Sequence, residues 1–318
     1  MAILGTDIVQ AKQLLEQGQL VAIPTETVYG LAGNALNPDA VLSIFKAKER
    51  PSFDPLIVHT DSIEKIERWV THFPAALKAL STAVWPGPLT ILLPRNELIP
   101  DIVTSGLETV GIRIPNHPLT LSLLQSLDFP LAAPSANPFG YISPTQAEHV
   151  NQQLGGLIPY ILDGGHCEVG IESTIVAWEN NQLHVLRLGG LSVEAIENLI
   201  DQKVILNLNQ SSNPQAPGML KSHYAPRKPL YIGEVDQLLK QHAGKRVGVL
   251  NFQRVLPDIT IQRTLSISGD PHEASKNLFR FLRELDQSDA EILITEFVPE
   301  FDLGRAINDR LRRAAYSE

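Results

Sequence analysis

The chain is poor in cysteine, methionine and aromatic residues: 318 residues contain one Cys, two Met and three Trp, with aromatics at 6%. The lone Cys167 can close no intrachain disulfide and cannot supply the paired thiolates of cysteine-rich zinc motifs. That fits a reducing compartment. Beside His166, the thiol could be read as a nucleophile, but a lone cysteine is more commonly a small core residue. No apolar run approaches the roughly 20 residues that cross a bilayer, and the first residues lack the basic-then-apolar pattern of a secretory signal. A cytoplasmic protein with no membrane contact is therefore expected. None of the nine histidines sits in an HExxH spacing, so no protein-built metal site is expected either. The formal net charge of -9 excludes a broad electrostatic footprint for nucleic acid and leaves room only for a local basic groove. Both glycine-rich phosphate signatures, the P-loop and GxGxxG, are missing, as is a GxSxG elbow around Ser135. Any nucleotide must be held in some other way.

What is present is an ordinary globular composition, 43% hydrophobic and 19% charged, over a length that favours two domains. Up to about Ile200, short β-type runs alternate with helical ones. Leu20–Ile23, Leu56–His59, Leu89–Leu93, Thr109–Ile114, Tyr160–Leu162, Ser173–Trp178 and Leu183–Leu188 read as strands. Pro38–Lys48, His117–Leu127 and Val193–Ile200 have helical spacing. The expected fold is an α/β domain with mixed strand directions over residues 1–206. Asn207–Gly218, rich in Asn, Gln, Ser and Pro, has no period and begins a linker over residues 207–227. Residues 228–318 alternate again. Leu230–Ile232, Arg246–Phe252 and Glu291–Phe297 read as strands and Val235–His242, Pro271–Asp286 and Arg305–Ala315 as helices, which implies a small, doubly wound, Rossmann-like α/β domain.

Four clusters could carry chemistry. The segment Pro24-Thr25-Glu26-Thr27-Val28-Tyr29-Gly30 leaves a buried strand at a proline, where open α/β sheets place ligand-contacting groups. Lys48 and Arg50 close the next helix. Cations in a last helical turn complement the helix dipole without any ligand, but beside this turn and His59 they also suit a polyphosphate. In Ala132-Ala133-Pro134-Ser135-Ala136-Asn137, small residues admit a ligand close to the backbone, and Ser135 and Asn137 offer hydrogen bonds; the same residues also suit a plain polar turn. Thr109 and Arg113 project from one face of a strand, and an inward Arg needs an anion, either an internal carboxylate or a substrate's. Gly164-Gly165 to Gly170, then Glu172-Ser173-Thr174, form a turn entering a strand, and Arg187 ends the strand after it.

In order, PTETVYGL, Lys48 and Arg50 with PLIVH, WPGPLT at Trp85–Thr90, Ser135 with Asn137, DGG at Asp163–Gly165 and ESTI at Glu172–Ile175 resemble the two-domain threonylcarbamoyl-AMP synthase family. The resemblance covers nearly the whole chain and implies a YrdC-like twisted mixed-sheet catalytic domain followed by the smaller domain. It implies a nucleotidyltransferase that joins L-threonine, bicarbonate or CO2, and ATP into threonylcarbamoyl-AMP and pyrophosphate. The product would feed tRNA threonylcarbamoyl transferase machinery, which modifies adenosine beside the anticodon, and any direct tRNA contact would be weak. By the same likeness Thr27, His59, Arg113, Ala133 and Ser173 would hold threonine. Arg50, Asp54, Thr109, Ser135, Asn137, Ser143, Arg187 and Tyr224 would contact ATP, with Lys48 and Arg50 catalytic. Magnesium would arrive with the nucleotide. The segment Ala216–Pro226 is similar to the family's SPGM…HYAP segment, which reaches back over the cleft, although Ala216 and Leu220-Lys221-Ser222 depart from it. Asp54 also departs, standing where some members have Asn. Two other readings compete: an RNA-binding module of the same fold without chemistry, and a related carbamoyltransferase, for which the chain lacks both length and cysteines.

Overall fold

The computed structural model describes residues 1–208 and 223–315. Fifteen strands appear among them: β1 Ile3–Gly5, β2 Val21–Ile23, β3 Gly30–Asn34, β4 Ile57–His59, β5 Leu89–Pro94, β6 Thr109–Arg113, β7 Leu131–Ala132, β8 Tyr160–Leu162, β9 Thr174–Glu179, β10 Gln182–Arg187, β11 Ile205–Leu206, β12 Leu230–Ile232, β13 Val247–Asn251, β14 Gln262–Thr264 and β15 Ile292–Thr295. The first eleven form one mixed sheet in the order β1-β8-β2-β3-β7-β4-β6-β5-β9-β10-β11. The last four form a separate sheet, β12-β15-β13-β14, in which every pairing is parallel. A mixed-sheet unit followed by a parallel α/β unit is the fold class expected from the alternation of elements.

Local chemistry explains the helix that matters most for the site. In Pro38–Lys48, Asn37 accepts from the backbone N–H groups of Asp39 and Ala40, Pro38 fills the first turn, and Lys46 and Lys48 occupy the last. The helix ends in the left-handed residue Glu49, at φ 53°. These are the start and stop signals of a stable helix. The next backbone N–H, that of Arg50, returns to the Phe45 carbonyl. The polar tip of the helix thereby turns toward the sheet.

Sequence patterning passed over several short elements. β1, β3, β7, β11 and β14 have two to five residues each. β3 reads GLAGN, a composition that weakens strand propensity, and it forms because it lies antiparallel between β2 and β7. The helices Ile8–Glu16, Ala75–Val84 and Ala147–Leu154 were also passed over.

Register places the functional end of the sheet. β4 and β6 are parallel, and His59 pairs with Arg113 across them. On the other side of β4, β7 runs antiparallel and pairs Ala132 with Val58. One continuous apolar cluster extends from Ile142, Ile171 and Tyr224 to Leu278, Phe279 and Ile307, so the two units share a core.

Candidate active site

A crevice opens where β2, β4, β6 and β10 end and β9 begins. Its walls carry Thr27, Arg50, His59, Arg113, Ala133, Ser135, Ser173, Arg187 and Tyr224. Nine of the residues that the sequence singled out therefore meet at one place. The wall also includes Thr25, Glu172 and His223.

The turn after β2 is built on Thr25. Its hydroxyl takes the N–H groups of Thr27 and Val28, donates to the Val28 carbonyl at 2.7 Å and lies 2.8 Å from the Thr27 hydroxyl. Arg113 Nη1 then donates to Thr27 Oγ1 at 2.8 Å. Its Nη2 lies 2.7 Å from Glu26 Oε1, a charge contact out of line for a hydrogen bond. The inward arginine thus has an internal carboxylate to balance it and a badly aimed N–H besides. Such an N–H can turn to a better-placed acceptor.

Arg50 is held from behind. Nε donates to the Asp54 carbonyl at 3.0 Å, Nη2 to the Pro55 carbonyl at 2.8 Å, and Asp54 Oδ2 lies 2.9 Å from Nη2. Burial and the neighbouring acid pull Arg50 in opposite directions, with burial lowering its pKa the more. Asp54 is fully buried behind the arginine and does not line the crevice. Its carboxyl is pushed up by burial, against the opposing charges of Arg50, Lys48 and Arg187. Asp54, placed with the nucleotide by the resemblance, faces the guanidinium instead.

Lys48 is likewise out of the wall. At 1% exposure, its Nζ donates to the Ser135 and Asn137 carbonyls, both at 2.5 Å. Burial and then the Arg50 charge hold its pKa well below the ordinary lysine value. Asn137 donates to the Pro138 and Tyr141 carbonyls at 2.9 and 2.8 Å. Both side chains bind carbonyls of the loop around Ser135–Tyr141, and neither lines the crevice.

On the opposite wall, Ser173 shares its hydroxyl between Thr90 at 2.7 Å and Arg187 Nη2 at 3.1 Å. Arg187 also donates to the Ser173 carbonyl through Nε and Nη2, at 3.1 and 2.8 Å. Gly189 permits this approach, because a Cβ there would stand 2.3 Å from the Ser173 carbonyl carbon. Burial lowers Arg187 to about 10, so it stays charged at neutral pH. Burial, followed by the Arg113 charge, lowers His59 to about 3, which leaves a neutral imidazole on the wall. Tyr224, at φ 64°, packs its ring 4.1 Å from His223 and 5.4 Å from Phe279. Burial raises it to about 12, so its phenol is neutral.

Two further candidates stand elsewhere. Ser143 sits behind the wall and donates to Glu172 Oε1 at 2.6 Å. Thr109 shares its strand face with Arg113 but starts β6 where Arg113 ends it, roughly 13 Å along the strand at about 3.3 Å per residue. It lines another groove, with His72, Pro74 and Trp178. Alternation gave the shared face but not the distance, so Thr109, placed with the nucleotide by the resemblance, stands away from the crevice. Glu26, Glu172, His223 and Arg310, which line the crevice or pair with its residues, were given no site role by the sequence reading. Glu26 and Glu172 sit inside the PTET and EST motifs, so the motifs carried a signal; Arg310 had none.

Residues 13–189 match the family model described as telomere recombination, of the Sua5, YciO and YrdC proteins. Residues 191–316 match the model described as threonylcarbamoyl-AMP synthase, C-terminal domain. The chain is 38% identical to a threonylcarbamoyl-AMP synthase of Pyrococcus abyssi, over 96% of this chain and 93% of the other. With the enzyme of that name from Bacillus subtilis, identity is 41% over 97% and 92%. A crystal structure of P. abyssi Sua5 complexed with L-threonine superposes with a TM-score of 0.93 at 36% identity, covering 99% of this chain and 97% of that one. With both domain models matched in sequence order and near-complete coverage by these relatives, the chain belongs to the threonylcarbamoyl-AMP synthase family.

Proposed function

We infer that this protein is an L-threonylcarbamoyladenylate synthase, which makes threonylcarbamoyl-AMP and pyrophosphate from L-threonine, bicarbonate or CO2, and ATP. The observation that carries the reading is one crevice in which Arg50, Arg113 and Arg187 converge on hydroxyls and a neutral imidazole. The threonine nitrogen bonds to the carbon of CO2 and gives up a proton. A carbamate oxygen then attacks the α-phosphorus, and the bond to the bridging oxygen breaks to release pyrophosphate. Two anions must be brought together, and fixed cations at that point lower the barrier.

In this reading Arg113 takes the threonine carboxylate, with Thr27, Ala133 and Ser173 around it. His59 offers its ring to the amine without adding positive charge, which keeps the nitrogen free to react. Arg50, Ser135, Arg187 and Tyr224 hold the nucleotide. Lys48, Asn137, Asp54 and Ser143 act one step back, through the carbonyls, Arg50 and Glu172 that they hold. No ATP contact is assigned to Thr109.

Among the described residues no three His, Cys, Asp or Glu side chains form a metal cage. The carboxylate on the wall, Glu172, already faces Arg310. That donor set suits a magnesium ion carried on the nucleotide's own phosphates, where it offsets their charge. Closure by the segment 207–227 belongs to the same reading; residues 209–222 of it lie outside the described residues. A carbamate is labile in water, which gives closure a use. The product would pass to tRNA-modifying enzymes in the cytoplasm. No described helix is long and apolar enough to cross a membrane.

The test is pyrophosphate release from ATP by the purified protein, with and without L-threonine and bicarbonate, with the adenylate detected by mass. Release that requires both, together with the threonylcarbamoyl-AMP mass, is expected. Nucleotide and salt-sensitive RNA binding without any release would favour the RNA-binding module instead.

A further inference from the structure

The second unit sends two arginines into the catalytic unit. Arg310, on the helix Gly304–Ala314, is fully buried. Its Nη2 and Nε stand 3.1 and 3.2 Å from Glu172 Oε2, and Nη1 donates to the Leu188 carbonyl at 2.5 Å. Its guanidinium carbon lies 5.4 Å from the Tyr224 ring centroid. Arg283, on the helix Pro271–Gln287, is 1% exposed. It donates to the Ser143 carbonyl at 3.2 Å and also to the Ile142 carbonyl. Ser143 in turn donates to Glu172 Oε1 at 2.6 Å. The two arginines therefore grip the Ser143–Glu172 pair from both ends.

Glu172 is the one carboxylate on the crevice wall among the described residues; Glu26 and Asp54, partners of Arg113 and Arg50, lie off it. The wall that must receive a polyphosphate thus contains a buried negative charge; Arg187 acts on it from the same unit, and its direct ion pair comes from the other unit through Arg310. A carboxylate there without its ion pair would repel the incoming phosphates, which weakens nucleotide binding more than binding of an uncharged or singly charged group.

We propose that Arg310 is a positioning residue of the active site, which neutralises and orients Glu172 so that the crevice accepts a nucleoside triphosphate. The second unit then has a chemical role, because it completes the charge balance of the first. The inference rests on the synthase reading for the identity of the nucleotide.

The experiment compares the full-length protein with Arg310→Met, Arg310→Lys and the double variant Arg310→Met with Glu172→Gln. The affinity for a non-hydrolysable ATP analogue is measured by calorimetry without threonine, and KM for ATP and for threonine from pyrophosphate release. Thermal melting verifies that each variant folds. Arg310→Met is expected to weaken analogue binding about tenfold or more, the scale of stranding a buried charge. The KM for threonine should change far less. Glu172→Gln in the same chain should recover most of the loss, because the wall carboxylate is then neutral, while Asp309, 3.3 Å from Arg310, keeps Arg313 as its partner. Unchanged analogue affinity in Arg310→Met overturns the proposal. So does a loss that Glu172→Gln leaves in place, since a purely structural arginine would behave that way. If Arg310→Met fails to fold, Arg310→Lys decides: it keeps the charge on a shorter stem, so affinity near that of the unsubstituted protein supports the proposal and a loss beyond tenfold refutes it. An unsubstituted protein that binds the analogue but never releases pyrophosphate would count against the synthase reading alone.

Discussion

At the residue scale, the site separates groups that face the crevice from groups that hold them. Arg50 faces it, and Lys48, two positions earlier, holds the loop opposite through two carbonyls. Sequence spacing made the two cations look equivalent. Their burial and partners make them different, and substitution should separate them. Arg50→Met alone would strand the Asp54 charge, so the informative variant pairs it with Asp54→Asn. That double variant should melt close to the unsubstituted protein and lose about 10²–10³ in turnover, the scale of one preorganised electrostatic contact. Lys48→Met should show the reverse balance, a lower melting temperature with a smaller loss of turnover, because the Ser135–Asn137 loop loses two donors. Steady-state pyrophosphate release and thermal melts distinguish them, and an unchanged turnover in the Arg50 variant would remove that residue from the chemistry.

At the element scale, the helix Pro38–Lys48 shows how local sequence reaches the site. Its cap, first-turn proline and terminal lysines were all legible, and they fix where Lys48 and Arg50 emerge. Asn37→Ala removes two capping acceptor contacts and should destabilise the fold by about 1 kcal/mol. Urea denaturation reads that change, while the KM for ATP should hold, since the helix terminus is also fixed by the Arg50 N–H bond to Phe45. A shifted KM would show that the cap controls the crevice directly. The long strands β5, β6, β9 and β10 were readable because buried β-type runs leave a mark in the sequence. Two-residue β7 and glycine-rich β3 were not, since they exist through their neighbours' hydrogen bonds. Thr109 illustrates a related limit: alternation gives the face of a strand but not the distance along it.

At the scale of the whole molecule, the two units are interlocked. Gly170, at φ 79°, lies so close to the helix Pro271–Gln287 that a Cβ would stand 2.5 Å from the Lys276 Cα. The turn carrying it is pinned by that helix; Ser275 also donates to the Val169 carbonyl at 2.9 Å. The fold also buries histidines that stay neutral. Burial lowers His59 and His149 to about 3, and His223 well below its ordinary value. The charges of Arg283, His166 and Arg280 add to the effect at His149. Because these folded-state values lie below 6.5, the unfolded chain takes up more protons across that interval. Stability is therefore full above about pH 6.5 and declines as pH falls toward about 3, by at most about 1.4 kcal/mol per pH unit for each histidine. Melting temperatures between about pH 7 and pH 5 should fall, and His149→Gln, which can still accept the Thr145 N–H, should flatten the slope. An identical slope in that variant would acquit His149. By itself the sequence determined the fold class, the family and most crevice-facing residues, because hydrophobic period, caps and ordered motifs are local. Only the tertiary structure decided which charges meet: Lys48 turned to carbonyls 87 and 89 positions away, and Glu172 to an arginine 138 positions away. Such pairings depend on how distant elements pack, and a linear pattern carries no term for that.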